Sequence, residues 1–500
     1  MDEHRTSSDG DGNGAAGGEP QVGIPLSLAF AVFDDWLQSG RVGAAETLLA
    51  AIDAAAPDSG PRALRHVALA SLRKQPRLAL RLAQAAIAAG GKEHGLFRAL
   101  YDMQIALGDD RGVLATAERG TAAAPDNPDA WTWLADARYR NDDPEGAIEA
   151  CRTALGLDAK SLGAHSVLAE ALLVLGRYEE GWEEYLWRFR RPHVLQLRVT
   201  PDGWEGARRA DWPHRDARLM VYGDQGMGDV IQFIRYLPFI AERCAGEHIV
   251  LVCAQQLHPL LRPYLDRVAP GAELVPLGAP TPGVAMMVPL SAVPRLAGTR
   301  LDTIPGPSPY LHADPAAAAA WRARLDARLP PGRHLRVGLI WSGNPQQGNN
   351  PIRAMPLAHL APLTEIDGIA LVALQKGEAA EAQLAAYSGR APLISIGPEL
   401  NDFADTAACL AGLDLLVATD TGPVHLAGAM GVPTFLMLAR GADWRWLRGR
   451  SDSPWYPSLR LFRQPASGEW PAVVAAVAEA VTALVAGASS KVASSPRNGA

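Results

Sequence analysis

The feature that most constrains this chain is a spacing of 34 residues. Between about residue 25 and residue 190, apolar and small positions recur at that interval, with Leu100, Leu134 and Leu168 as one series. Gly40, Gly108 and Gly176 stand 68 apart, two periods, and Pro57 and Pro125 share that offset. Turn residues at fixed offsets in such a period describe a helical hairpin. A hairpin that cannot bury its apolar face alone must stack on its neighbours, and the stack is a solenoid. The best copy, AWTWLADARYRNDDPEGAIEACRTALGLD from Ala130, sets Trp131, Leu134, Ala135, Tyr139, Ala147, Ile148 and Ala154 at packing positions. The copies before Gly90 are degenerate, so four to five repeats are expected. An ordinary helical bundle is the competing architecture, and the fixed period argues against it.

The repeat resembles the tetratricopeptide repeat. Its last stretch, YEEGWEEYLWRFR from Tyr178 to Arg190, is dense in aromatics, and Trp182, Tyr185, Trp187 and Phe189 are expected to seal the solenoid against the next domain. After Arg191 the pattern changes to short apolar runs alternating with helical segments, which predicts a parallel α/β sheet. The runs are Leu219–Tyr222, Ile249–Cys253, Val337–Trp341, Ile369–Leu374, Leu413–Ala418 and Thr434–Leu438. A Pro-rich passage from Leu301 to Pro315 divides them into two groups. The expected order is a tail over 1–24, an α-helical solenoid over 25–195, two Rossmann-like α/β domains over 196–320 and 333–486, and a tail over 487–500.

A formal charge of -7 and a pI near 6.0 give no bulk electrostatic reason to bind nucleic acid or an anionic membrane face. Four dispersed cysteines without a C-x-x-C pair suit a reducing compartment. The first twenty residues lack the order of a secretory leader. The C-terminal apolar run Val473–Val485 carries Glu479 and is read as too short to cross a bilayer, so a soluble, cytoplasmic protein is expected.

Two motifs carry chemistry. The first α/β half opens with a strand, a glycine-rich turn holding Gly223, Gly226 and Gly228, and a helix beginning near Asp229. Such a turn exposes backbone N–H groups at a helix N-terminus and puts a carboxylate at the mouth of the sheet, although Asp229 as a simple helix cap is the competing reading. The second half contains LDLLVATDTGPVHLAGAMGVPTFLML. A strand there ends in Thr419-Asp420-Thr421-Gly422-Pro423 before a helix carrying His425, an arrangement suited to a diphosphate. Lys376, after the strand ending at Leu374, offers a point charge for phosphate or a solvated surface lysine. Trp444, Arg445, Trp446 and Arg448 fit packing better than base stacking. His258, His312 and His359 show no metal-ligand spacing, and no metal site is expected.

The Asp-Thr-Gly-Pro-x-His-Leu-Ala run resembles the donor-site signature of bacterial ADP-heptose:lipopolysaccharide heptosyltransferases, whose Gly-x-Gly-Asp turn is echoed by Gly226-Met227-Gly228-Asp229. Closer still is a bacterial family fusing tetratricopeptide repeats to such a module, to which GDQGMGDVIQFIRYLP, LIWSGNP, LQKG, FADTAA and DWRWLRGRSDSPWYPSLRLFRQP are similar. The resemblance implies a GT-B architecture, with the nucleotide on the second half and the acceptor approaching across the cleft. It implies Asp229 as catalytic base, Asp420, Thr421, Gly422 and His425 as the donor-phosphate loop, and Asn344 and Arg353 near the leaving diphosphate. Where related proteins carry a histidine, an acid and an extra arginine, this chain reads PQQGNNPIR; Gln347, Asn350 and Pro351 are departures.

The resulting expectation is an inverting, metal-independent glycosyltransferase with no cofactor, taking a nucleotide-sugar as substrate and a protein acceptor recruited by the repeats. The altered loop supports a rival, a non-catalytic repeat scaffold with a degenerate nucleotide-binding module. A lipopolysaccharide-core sugar transferase is a further alternative, less favoured because no basic amphipathic docking helix is evident.

Overall fold

The computed structural model describes residues 23–55, 60–190, 218–306, 308–332, 334–345 and 350–493. The expected N-terminal tail lies outside them but for Gly23 and Ile24, as do Pro57 and Gln347. The chain divides into two compact units at Met103/Gln104.

The first unit holds α1 (Leu26–Gln38), α2 (Val42–Ala55), α3 (Gly60–Leu72), α4 (Pro76–Ala88) and most of α5 (His94–Leu107). Small clusters form its core, Phe33 with Ala45 and Leu49, and Phe30 with Ala29 and Ile52. The second unit opens with α6 (Asp110–Ala123), α7 (Pro128–Arg140), α8 (Pro144–Leu157), α9 (Leu162–Val174) and α10 (Tyr178–Tyr185). Of these, α6 to α9 start on side-chain caps. Asp109, Asn127, Asp143 and Ser161 each accept a backbone N–H of the first turn, and prolines open α7 and α8.

The period is visible in the backbone. The turn inside each hairpin passes through a left-handed residue: Gly40 (φ 76°), Lys74 (55°), Gly108 (70°), Asp142 (63°) and Gly176 (77°). Glycine takes this conformation without steric cost, and Asp tolerates it better than most side chains. Leu100, Leu134 and Leu168 are all buried, as are Ala135, Tyr139, Ala147, Ile148 and Ala154. Trp131 is only half-buried, its indole N–H donating to the Pro125 carbonyl at 2.7 Å, and Trp133 takes the enclosed position instead.

The second unit also contains two parallel sheets. One has four strands in the order β3-β2-β1-β4: β1 (Arg218–Tyr222), β2 (Ile249–Cys253), β3 (Glu273–Pro276) and β4 (Val284–Pro289). The other has six in the order β10-β9-β8-β5-β6-β7: β5 (Leu335–Ile340), β6 (Ile369–Ala373), β7 (Leu393–Ser395), β8 (Leu415–Thr419), β9 (Thr434–Leu438) and β10 (Leu459–Arg463). β3, β4, β7 and β10 are additions to the strands expected from sequence. The strand order reverses between β1 and β4 in one sheet and between β5 and β8 in the other, and such reversals open a crevice at the carboxyl ends of the strands. α11 (Met227–Phe233) follows β1, and α12 (Gly422–Met430) follows β8.

The closing helix, α13 (Trp470–Ala493), runs past the expected boundary at residue 486. Its window Trp470–Gly487 is long and apolar enough to span a bilayer by length and composition, so the reading of this segment as too short is corrected. The physical reason for its apolarity is the core: Trp470, Val473, Val474, Val477 and Val481 pack with strand residues such as Val337, Leu371 and Met437.

The end of the repeats packs into the α/β layers through aromatics. Trp182 meets Tyr178, Tyr185 and Trp444 edge-on at 5.5, 5.6 and 5.2 Å, and its indole N–H donates to the Thr299 carbonyl at 3.1 Å. The Trp455 indole donates to the Tyr178 hydroxyl at 2.9 Å. Trp187 instead stacks on His165 at 3.6 Å, inside the repeat region.

Candidate functional site

The carboxyl ends of β1, β5, β6 and β8 converge on a cleft of about 1000 Å³. Gly226, Gly228 and Asp229 line it from the first sheet's side, and Asn344, Arg353, Lys376, Asp420, Thr421, Gly422 and His425 from the second's. Gly223 does not. A Cβ there would come within 2.7 Å of Val230 and 3.3 Å of Cys253, and its N–H donates to the Val252 carbonyl at 2.8 Å, so it is a packing glycine.

The two helix N-termini approach closely. A Cβ on Gly228 would lie 2.8 Å from the His425 ring and 3.3 Å from the Gly422 Cα. Glycine at 228 therefore brings α11 against α12 and sets Asp229 beside the donor-like loop.

Asp229 is the third residue of α11, with Gly226 at the cap position, so a helix-capping role does not describe its geometry. One carboxylate oxygen, Oδ1, is ion-paired with the Arg445 guanidinium. Burial pushes the Asp229 carboxyl up; Arg445 opposes the shift, Asp443 adds to it, Arg188 opposes it and Asp224 adds to it. Arg445 is itself buried. Its Nη1 donates to both oxygens of Asp443 at 2.9 and 3.0 Å, its Nε to Gln232, and its guanidinium lies 4.4 Å from the centre of the Trp444 ring.

The loop after β8 is more enclosed than its sequence suggests. Asp420 turns one oxygen to the Trp446 indole N–H at 2.9 Å, with His425 Nε2 4.0 Å from the other. Burial pushes the Asp420 carboxyl up to about 6, with Asp443 adding and Trp446, Arg353 and Arg445 opposing. Burial, with Arg445, Arg235 and Arg353 nearby, holds His425 well below the usual imidazole range. It stands neutral, with Nδ1 3.0 Å from the Tyr456 hydroxyl. Thr421 caps α12 from an extended conformation without a side-chain bond; Pro423 carries no N–H and the Val424 N–H donates to the Thr421 carbonyl at 3.0 Å, so Gly422 holds the first-turn N–H at the cleft.

Arg353 ends a short helix, Asn350–Arg353, over the backbone of Gly343, where a Cβ would lie 2.7 Å from its guanidinium. Asn350, one of the departures in this loop, accepts the Gly343 N–H at 2.8 Å, while Gln375 accepts the N–H groups of Trp341 and Ser342. These amides shape the turn after β5. Lys376 lies at the rim and donates to the Leu400 carbonyl at 2.5 Å. Among the described residues, no three His, Cys, Asp or Glu side chains converge as a metal site would require.

Sequence reasoning assigns Arg445 and Trp446 to packing. Both are buried, but Arg445 bonds Asp229 and Trp446 bonds Asp420, so each also orders a residue of the cleft. Arg448 joins the repeats, pairing with Asp142 at 3.1 Å and Glu145 at 2.8 Å. A usable signal is the position of DWRWLRGR directly after a strand's carboxyl end, where loops of α/β sheets carry function.

Comparison with known proteins finds matches in both the repeat region and the α/β region. Residues 358–438 match the family model described as glycosyltransferase family 9 (heptosyltransferase), and residues 113–186 match that of anaphase-promoting complex, cyclosome, subunit 3. The chain is 28% identical over 433 residues to protein FlbA of Caulobacter vibrioides, covering 81% of this chain and 69% of the relative. Among solved structures, that of MamA is similar over 32% of this chain and 93% of its own, at 14% identity and a TM-score of 0.29. A thermophilic TPR protein of Thermus thermophilus is similar over 33% of this chain and 91% of its own, at 18% identity and a TM-score of 0.28.

Proposed function

We propose that this chain, which joins tetratricopeptide-like repeats to a glycosyltransferase family 9 domain, is an inverting glycosyltransferase that moves a sugar from a nucleoside diphosphate to a hydroxyl of a protein acceptor. The observation that carries the reading is the approach of Asp229 to the loop at the switch point of the second sheet. The second α/β domain (333–486) would hold the nucleotide and the first (196–320) the acceptor side. The diphosphate would lie against the Gly422 N–H at the start of α12 and against Arg353, where dipole and charge favour an anion. Asp420 and His425 then serve as organisers: the carboxylate orients Trp446, and the neutral imidazole packs the helix against Gly228. Asn344 and Lys376 border the same pocket.

In the reaction, Asp229 Oδ2 accepts the proton of the acceptor hydroxyl as that oxygen bonds the anomeric carbon. The bond from that carbon to the phosphate oxygen breaks with its electron pair on the leaving diphosphate. A single displacement inverts the centre. Arg353 and the Gly422 N–H meet the leaving charge, so the proposed transfer needs no metal or cofactor. The repeats offer a stacked surface of the kind that grips polypeptide, which favours a protein acceptor handled in the cytoplasm.

The test is nucleoside diphosphate release from a nucleotide-sugar that the protein is first shown by calorimetry to bind. Asp229→Asn should keep that affinity and lower release by a factor of about 10² to 10⁴, the usual span of general-base catalysis. Arg353→Ala should weaken binding by about 1.5 to 3 kcal/mol, the scale of a hydrogen bond to a charged group. Release at close to the wild-type rate in Asp229→Asn removes the mechanism, and a wild type that binds donors without turnover supports a scaffold instead.

A further inference from the structure

Resting on that reading, we propose that Arg445 is the positioning residue of the site: its guanidinium holds Asp229 Oδ1, leaves Oδ2 to meet the acceptor hydroxyl, and stands as the counter-charge of the base. The geometry has three parts. Arg445 comes from the loop after β9, in the opposite half from Asp229, so the pair also ties the two halves at the reacting point. The guanidinium is braced on every side, by Asp443 on Nη1, Gln232 on Nε, and the faces of Trp444 and Phe233 at 4.4 and 5.6 Å. Finally, Asp229 Oδ2 lies beside Gly226, the glycine at the cleft's edge, where a Cβ would stand only 3.2 Å from it.

Free rotation of the Asp229 carboxylate would exchange its two oxygens. The bond to Arg445 breaks that symmetry, and a fixed base loses less entropy at the transition state. Other groups facing Asp229 are Asp443 from the same loop as Arg445, Arg188 and Tyr185 from the end of the repeats, Asp224 from its own glycine turn, and the neutral His425 of α12. Arg445 is the cation in direct contact, and burial makes that contact count for more than it would in water.

The sign follows. A base must be deprotonated, so turnover falls as pH drops through the Asp229 pKa. Loss of the Arg445 charge raises that pKa, and the acid limb of the kcat/KM profile moves up. Loss of the Asp443 charge moves it down. The experiment measures the pH profile of nucleoside diphosphate release, donor affinity and Tm for wild type, Arg445→Lys, Arg445→Met and Asp443→Asn in the full-length protein. Arg445→Met should raise the acid limb by on the order of one pH unit or more, with activity recovering at higher pH; Arg445→Lys should fall between it and wild type. Asp443→Asn should shift the limb the opposite way. A brace with no electrostatic role would lower Tm and rate without moving the limb, and that result in Asp443→Asn overturns the proposal even if Arg445→Met fails to fold. Asp229→Asn is run alongside. If it keeps the wild-type rate, the base reading has failed; if it abolishes the limb while the Arg445 and Asp443 variants leave it in place, only this inference falls.

Discussion

The first four helices and the last four repeat helices share one sequence period but differ in what surrounds them. In the first unit, the core consists of small clusters such as Phe33, Ala45 and Leu49, each enclosed by neighbouring helices of the same array. In the second unit, α10 buries Tyr178, Trp182 and Tyr185 against Trp444, Trp455 and Thr299 of the α/β layers, and Tyr185 accepts a hydrogen bond at 2.8 Å from Gln225, a residue of the cleft. The difference teaches that a repeat array need not be one domain. Its early copies follow the nearest-neighbour physics of a solenoid, whereas its late copies form a wall of the transferase-like module.

The strongest way to break that comparison is truncation. A chain beginning at Lys92, which keeps α5 to α10, should unfold cooperatively and bind donor nucleotide like the full-length protein. A chain beginning at Arg191 exposes the Trp444 and Trp455 faces and should lose cooperative unfolding altogether, as read by circular dichroism and calorimetry. Cooperative melting of that shorter chain at the full-length Tm would show that the late repeats are no part of the module. Next in size is a pair of substitutions. Trp182→Ala and Phe33→Ala each empty a fully enclosed site and should each cost about 3 to 5 kcal/mol, the usual range for truncating a buried aromatic. Only Trp182→Ala should lower the denaturant concentration at which nucleotide binding is lost, and an equal loss in Phe33→Ala would erase the distinction between the two regions.

The legible part of the fold was what recurs. The 34-residue period, the buried Leu series and the turn glycines stand in the sequence, but the period showed as 68 in its glycines because Lys74 and Asp142 occupy the alternate left-handed turns. The conformation is shared and the residue type is not. The buried strands β2, β6, β8 and β9 were readable as continuous apolar runs, while β3 has four residues and β10 alternates Arg with apolar positions at the sheet edge. At the site, Asp229 and the Thr419–His425 loop carry local signatures, since each sits at a strand-to-helix turn. Arg445 has none. It lies 216 residues from Asp229 along the chain, and the contact forms where α11 and α12 meet at Gly228.

The smallest expected effect tests which forces hold the late repeats in place. Arg448 reaches from the loop after β9 to Asp142 on the α7–α8 turn and Glu145 in the first turn of α8, so by position it is an electrostatic tie across the same seam as Trp182. Its side chain and both partners are at least 36% exposed, in contact with water and salt. Exposed ion pairs gain little over their hydration and lose side-chain entropy on pairing, so Arg448→Ala should cost at most about 1 kcal/mol, less in high salt. The aromatic contacts of Trp182 exclude water and carry no such discount. Thermal melts of Arg448→Ala at low and high ionic strength measure the difference directly. A loss above about 2 kcal/mol, removed by salt, would exceed the range of an exposed pair and make the seam chiefly electrostatic, contrary to the packing argument.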